Sequence, residues 1–289
     1  MSEMKVMAQG LGFPEGPVAM PDGSVILVEI ERGTLSRVSL EGHVDVIAQC
    51  GGGPNGAALG PDGRMWVCNN GGGEGRGFIQ AVDISSGTAE RVYEQVDGHT
   101  LSAPNDLVFD AHGGFWFTDH GSNGERTRDH GGLYYGAADG SSIAEVVYPV
   151  EAPNGVGLSP DGATLYFAET HTGRVRSFEV VAPGKLNLPF GKDSRGKLVG
   201  TVAGEQLLDS LAVDSAGRVC VATIRTGGIT VFATDGTESF VPTGDRITTN
   251  ICFGGSDLRT AYITGSRQGT LLRTTWDVAG LRLNHNPYP

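Results

Sequence analysis

The sequence predicts an all-β chain folded as a six-bladed β-propeller, on three observations: a motif that recurs six times, strand-like runs after each copy, and abundant glycine. Glycine supplies 46 of 289 residues, about twice its usual share, and falls in turn-like pairs and triplets without a collagen register. The fullest copy of the motif is Ala152-Pro153-Asn154-Gly155-Val156-Gly157-Leu158-Ser159-Pro160-Asp161-Gly162. Its siblings begin at Phe13-Pro14-Glu15-Gly16-Pro17, Gly53-Pro54-Asn55-Gly56, Ala103-Pro104-Asn105-Asp106, Leu208-Asp209-Ser210-Leu211 and Thr249-Asn250-Ile251. Each sets an oxygen-bearing side chain just before a short apolar run. The copies return about every 40 to 55 residues, a period shared by helical arrays and propeller blades.

Strand chemistry decides between those two. Ser24 to Val28, Arg64 to Cys68, Gly114 to Thr118, Thr164 to Ala168, Arg218 to Ala222 and Thr260 to Thr264 are short β-branched or aromatic runs, and no helical pattern competes. Hairpin turns join most of them to the preceding run, as in Pro21-Asp22-Gly23, Pro61-Asp62-Gly63, Pro160-Asp161-Gly162 and Ser215-Ala216-Gly217. A third strand follows, for example Thr34 to Val38, Phe78 to Val82, Gly132 to Tyr135, Arg174 to Phe178 and Ile229 to Phe232. Three or four antiparallel strands, six times over, make a propeller in a single domain spanning residues 1–289. The strand Thr270 to Arg273 is expected to pair with Lys5 to Ala8, closing the ring and removing an edge.

In a propeller the first strand of every blade lines the central channel. Glu15, Asn55, Asn105, Asn154, Asp209 and Asn250 are therefore expected to ring one end of it. Asn69, Asn70, Asp119, His120, Thr170, His171, Arg225, Ser266 and Arg267, from the loops after the second strands, are expected around the mouth. Carboxylates and amides with no His or Cys are the donor set of a hard cation such as calcium or magnesium, and Glu15 and Asp209 offset two positive charges. The competing reading is that these residues cap strand starts by bonding turn backbone. Six together, with two acids among the amides, favour binding.

A net charge of −12 leaves no basic stripe for a nucleic-acid backbone or an anionic membrane, and a small neutral molecule or a cation suits the chain better. The opening residues to Val6 lack an apolar stretch of signal-peptide length, so a cytoplasmic location is expected. Cys50, Cys68, Cys220 and Cys252 are widely spaced and read as reduced, buried thiols.

These residues together resemble the SMP-30/gluconolactonase/LRE-like family: Phe-Pro-Glu-Gly-Pro at 13, Pro-Asn-Asp near 105, Pro-Asn-Gly-Val-Gly-Leu-Ser near 154 and Asp-Ser-Leu-Ala-Val-Asp from 209. The resemblance spans nearly the whole chain. It implies a divalent metal, calcium favoured over magnesium, manganese or zinc, held by Glu15, Asn154 and Asp209, with Asn105 as a further ligand or substrate contact. It also implies hydrolysis of a sugar lactone, the metal polarising the carbonyl while Asp209 acts as general base or, as proposed for organophosphate-cleaving relatives, as nucleophile. Asn55, Asn250, His120, His171 and Arg225 are the remaining candidate substrate contacts. Ala103 stands where mammalian gluconolactonase-like members carry an Arg, a departure from the resemblance that bears on how a sugar is gripped. A phosphotriesterase at the same metal site and a non-catalytic binding platform are the alternatives.

Overall fold

The computed structural model describes residues 3–73, 76–285 and 288. Met1 and Ser2, part of the opening stretch read above for a leader, lie outside them. Six antiparallel sheets follow one another along the chain. Their inner strands are Pro14–Ala19, Pro54–Leu59, Pro104–Phe109, Pro153–Leu158, Leu207–Val213 and Thr248–Gly254. Each inner strand packs beside the next in chain order and the sixth returns to the first, so the sheets close around an axis as six blades. Outward from it lie second strands such as Val25–Glu29 and Met65–Asn69, then third strands such as Thr34–Val38 and Phe78–Val82.

The ring closes as the sequence predicts. Lys5–Gln9 becomes the outer strand of blade 6 against Thr270–Thr275, with Lys5 opposite Arg273 and Gln9 opposite Thr270. A strand from the other end of the chain thus completes the sixth blade and covers the edge of Thr270–Thr275.

Why the middle strands read as unbroken apolar runs follows from this packing. A blade has neighbours on both faces, so alternation between wet and dry sides disappears. Val25–Glu29 and Met65–Asn69 are buried at every position. The core accordingly divides into clusters between neighbouring blades. The largest joins blades 2 and 3 through Trp66, Phe109, Phe115 and Phe117, the Trp66 and Phe115 rings lying 5.1 Å apart. Each such side chain contributes about 1.5–3 kcal/mol by leaving water. All four cysteines are free thiols, Cys252 alone keeping partial exposure.

The hairpins at the far end use the turn chemistry that the sequence spells. Asp22, Asp62 and Asp161 each accept a hydrogen bond from the backbone N–H two residues on, at 3.0 Å. Gly23, Gly63 and Gly162 supply the left-handed backbone that follows. Three features have no counterpart in the sequence reading. A small hairpin pairs Gln95–Val96 with His99–Thr100. The third strand of blade 4 runs on to Ala182 and pairs with Lys185–Leu186 before the outer strand Lys197–Thr201. After Thr275 the chain crosses the hairpin face, bridging Gly280 to Asp214. No helix among the described residues is long and apolar enough to cross a membrane.

Candidate active site

In every blade the ladder between first and second strand is interrupted at the same place. The register shifts fall between Glu15 and Val18, Pro54 and Ala57, Pro104 and Leu107, Pro153 and Val156, Leu208 and Leu211, and Thr248 and Asn250. Such a bulge re-aims side chains away from the normal alternation. Here it falls on Asn55, Asn105, Asn154 and Asp209, directly after Glu15 and directly before Asn250. The residue after the ring position lets neighbouring inner strands approach. A Cβ on Gly16 would lie 2.5 Å from the Asn55 carbonyl oxygen, and one on Gly56 2.6 Å from that of Asn105. Blade 3 carries Asp106 where blades 1, 2 and 4 carry glycine.

The ring is buried: Glu15 is 2% exposed, Asn154 5%, Asn105 7% and Asn55 9%, while Asp209 keeps more surface. Glu15 Oε2 accepts from its neighbour's backbone, Gly16 N–H, at 2.6 Å and from Asn250 Nδ2 at 2.8 Å. Asn250 Oδ1 accepts from the Ile251 N–H at 2.8 Å, so both ends of that amide serve the ring itself. Asn154 Nδ2 donates to Thr170 Oγ1 at 3.2 Å, and its amide acts on the Asp209 carboxylate in the direction opposite to burial, favouring the ionised form. Glu15 Oε1 and Asn105 Oδ1 are buried oxygens with no donor among the described residues.

Electrostatics single out three acids rather than the two expected. Burial pushes Glu15 up to about 7 against the hydrogen bonds from Asn250 and Gly16. Asp106 is likewise raised to about 7, by burial and then by Glu15. Burial, Glu15 and Asp106 together hold Asp209 well above the usual carboxylate range. The leading influences on the three include no Lys, Arg or His. Asp106 is the residue that sequence reasoning missed. The available signal was Pro-Asn-Asp at a position where sibling motifs read Pro-Asn-Gly or Pro-Glu-Gly.

The donor chemistry fits a hard cation. Two orphaned oxygens sit in a buried ring, and Asn154 Oδ1 receives only a long 3.4 Å approach from Ser210 Oγ. Among the described residues no three His, Cys, Asp or Glu side chains converge tightly enough to hold a metal by themselves. Any ion here takes amide oxygens as well as carboxylates.

The mouth differs from expectation in one respect. Asn69 and Asp119 are loop staples, not open mouth residues. Pro54 stands opposite Asn69 and Pro104 opposite Asp119. Asn69 Oδ1 accepts from Gly53 N–H at 2.9 Å and Gly71 N–H at 3.0 Å, and the Asp119 carboxylate accepts from the Ser102, Ala103 and Gly121 N–H groups at 2.7–2.9 Å. Their side chains satisfy backbone that a proline-led strand leaves unpaired. His120 and His171 meet edge to face with ring centroids 5.6 Å apart, bridging blades 3 and 4. Burial, then His171, lowers His120 to about 4, and burial, then Arg128, lowers His171. Arg225 donates to the Glu205 carbonyl at 2.7 Å and to its carboxylate at 3.0 Å on the exposed rim.

With this geometry in place, comparison with known proteins is decisive at one level. The sequence profile of the SMP-30/Gluconolactonase/LRE-like region matches residues 13–267. The chain belongs to that family. Among curated relatives, the lactonase drp35 of Staphylococcus saprophyticus is 31% identical over 231 residues, covering 79% of this chain and 68% of that one. Solved structures agree on the fold. A gluconolactonase from Xanthomonas campestris superposes with a TM-score of 0.78 at 23% identity, covering 96% of this chain and 90% of that one. A calcium-binding regucalcin from Agrobacterium tumefaciens gives 0.80 at 18%, covering 99% and 97%.

Proposed function

We propose that the protein is a metal-dependent hydrolase that opens a lactone ring, in the first instance that of a sugar lactone. The observation carrying this reading is the buried acid set of Glu15, Asp106 and Asp209, in a family whose curated relatives include lactonases. Acids crowded and desolvated in this way stay ionised together only beside a cation. Calcium suits carboxylate and amide oxygens best. Glu15, Asn154 and Asp209 would hold it, with Asn105 Oδ1 as a further ligand or substrate contact. Once bound, such an ion polarises the lactone carbonyl and stabilises the charge that develops on its oxygen.

The remaining chemistry belongs to side chains. Asp209, the ring acid with the most remaining surface, takes a proton from the water that attacks the carbonyl carbon. The ring C–O bond then breaks and the alkoxide leaving oxygen takes up that proton, giving the open hydroxy acid. Asn154 orients the Asp209 carboxylate, and Asn250 orients Glu15. His120, neutral down to about pH 4, offers an uncharged hydrogen-bonding group to sugar hydroxyls, with His171 against it and Asn55 as a further candidate contact.

The test is acid release from a panel of sugar lactones, followed with a pH indicator in calcium and in chelator, for the wild type and Asp209→Asn. Calcium-dependent release that Asp209→Asn abolishes supports the reading. Release indifferent to chelator, or none from any lactone while a phosphotriester is cleaved, overturns it. A single turnover in labelled water then separates base from nucleophile: the label enters the product directly in the first case and the Asp209 carboxylate in the second.

A further inference from the structure

Below the ring the channel changes character. Between the ring and the hairpin face lies a cavity of about 110 Å³ walled by Val18, Leu107, Phe109, Leu158, Leu211 and Ile251, with Asp106 and Asn250 at its upper end. Ala57, Leu59, Ala212 and Cys252 keep partial exposure although they stand on the innermost strands, so the axis of the molecule is hollow.

The C-terminal tail forms the floor of that hollow. The Leu281 N–H donates to the Val213 carbonyl at 3.1 Å in blade 5, and Asn284 Nδ2 to that of Phe109 at 3.0 Å in blade 3. The His285 ring stands edge-on to Phe109 at 5.6 Å. The Tyr288 hydroxyl donates to the Met20 carbonyl at 2.8 Å and accepts from the Gly255 N–H at 3.1 Å, reaching blades 1 and 6. Leu281 to Asn284 also border a second cavity of about 390 Å³ on the hairpin face, whose walls include Asp110, His112 and Asp161. One strip of chain therefore separates an apolar chamber from a polar vestibule.

We propose that the lower channel is a binding chamber for one small uncharged apolar molecule, entered from the hairpin face when the tail segment Gly280–His285 lifts. A water needs two to four polar partners, and over most of their area these walls supply none. A void of order 100 Å³ with such a lining takes guests of about the bulk of benzene or xenon. A charged guest would lose its hydration without compensation. Entry from the mouth is opposed by the buried, hydrogen-bonded ring. Leu283 within the tail is 46% exposed, and a segment that lies outside the sheets opens locally at lower cost than a blade. The chamber and the hydrolytic reading stand or fall separately, because the experiment below reads neither metal nor activity.

Cys252 is the reporter. It lines the chamber, and burial pushes its thiol up to about 12, so the reactive thiolate is scarce. The full-length protein is treated with methyl methanethiosulfonate, a small neutral reagent, and modification is mapped by peptide mass spectrometry with and without benzene. Cys252 is expected to react at least tenfold faster in Asn284→Ala/Tyr288→Phe than in the wild type. Benzene is expected to slow that reaction and to raise the wild-type melting temperature, but not that of Ala212→Leu, which fills the chamber. Cys68 and Cys220, buried within the sheets, report global unfolding. If they accelerate together with Cys252 in the double variant, the single variant Asn284→Ala decides. An unchanged Cys252 rate in the tail variants overturns the far-side entry. Benzene without effect on both labelling and melting overturns the chamber.

Discussion

Asn250 Nδ2 donates to Glu15 Oε2 at 2.8 Å, tying the last blade to the first across 235 positions of sequence. The Gly16 N–H occupies the same oxygen, and Oε1 is buried without a partner among the described residues. Holding one carboxylate oxygen fixes the direction of the other. Asn250→Ala is therefore expected to weaken calcium binding by about 10- to 100-fold, the usual cost of losing a group that orients a ligand. Titration calorimetry on the purified variant checks this. An isotherm matching the wild type would show that Asn250 orients nothing.

The ring acids are expected to matter for chemistry more than for folding, because the cores lie between blades and the ring lies at the axis. Asp209→Asn and Glu15→Gln should each reduce lactone hydrolysis at least about 10²-fold, in line with removal of a general base or of an ion-holding group. Far-ultraviolet circular dichroism should be unchanged. Asn105→Ala should keep more calcium than Asn154→Ala while its relative rates across the lactone panel shift. Equal calcium loss in both would make Asn105 a full ligand.

Much of this was legible in the sequence because propeller architecture is periodic. One motif, read six times, gave the inner strands, the Asp-Gly hairpins and the closing partnership of Lys5–Gln9 with Thr270–Thr275. The positions of Glu15, Asn55, Asn105, Asn154, Asp209 and Asn250 followed from the same repeat. What escaped was aperiodic. Asp106 replaces the glycine of the sibling motifs, and the packing of Gly56 against it shows that this position is a blade contact. Asn69 and Asp119 share loops with the mouth, but proline opposite them leaves backbone N–H groups that capture their side chains. The tail carries no strand pattern, and its course is set by contacts with four separate blades. The bulges at the ring are an outcome of closing six strands around one axis, which no local stretch encodes.

Glycine at the blade contacts should be far less replaceable than glycine in the hairpins. A Cβ on Gly56 would meet the Asn105 carbonyl oxygen and the Asp106 Cα, both at 2.6 Å, and backbone cannot yield as a side chain can. Gly56→Ala is expected to cost more than about 2 kcal/mol, as core overpacking does. Gly63 has a φ of +76° and open space around its Cβ, so Gly63→Ala should cost about 1 kcal/mol of backbone strain. Urea unfolding of the two variants measures the difference. Equal midpoints would contradict the close approach of blades 2 and 3.

The last expectation links protons, metal and stability. In the metal-free protein Glu15 and Asp106 are raised to about 7, above the values of roughly 4 that they have in the unfolded chain. Between those limits the folded form binds more protons, so the two groups favour folding fully below about pH 4, and that contribution is lost as pH rises toward 7. His120, lowered to about 4, acts oppositely: its contribution is present above about pH 6.5 and lost as pH falls. The carboxylate share is isolated by comparison with Asp106→Asn, whose metal-free melting temperature should fall less than that of the wild type between pH 5 and pH 7.5. Calcium replaces the protons as counter-charge, so its increment in melting temperature should be larger at pH 7.5 than at pH 5, where protons compete for the same oxygens. Differential scanning calorimetry at both pH values, in chelator and in excess calcium, reads all of these terms. A melting temperature indifferent to calcium and chelator at both pH values would exclude a cation coupled to the Glu15, Asp106 and Asp209 cluster.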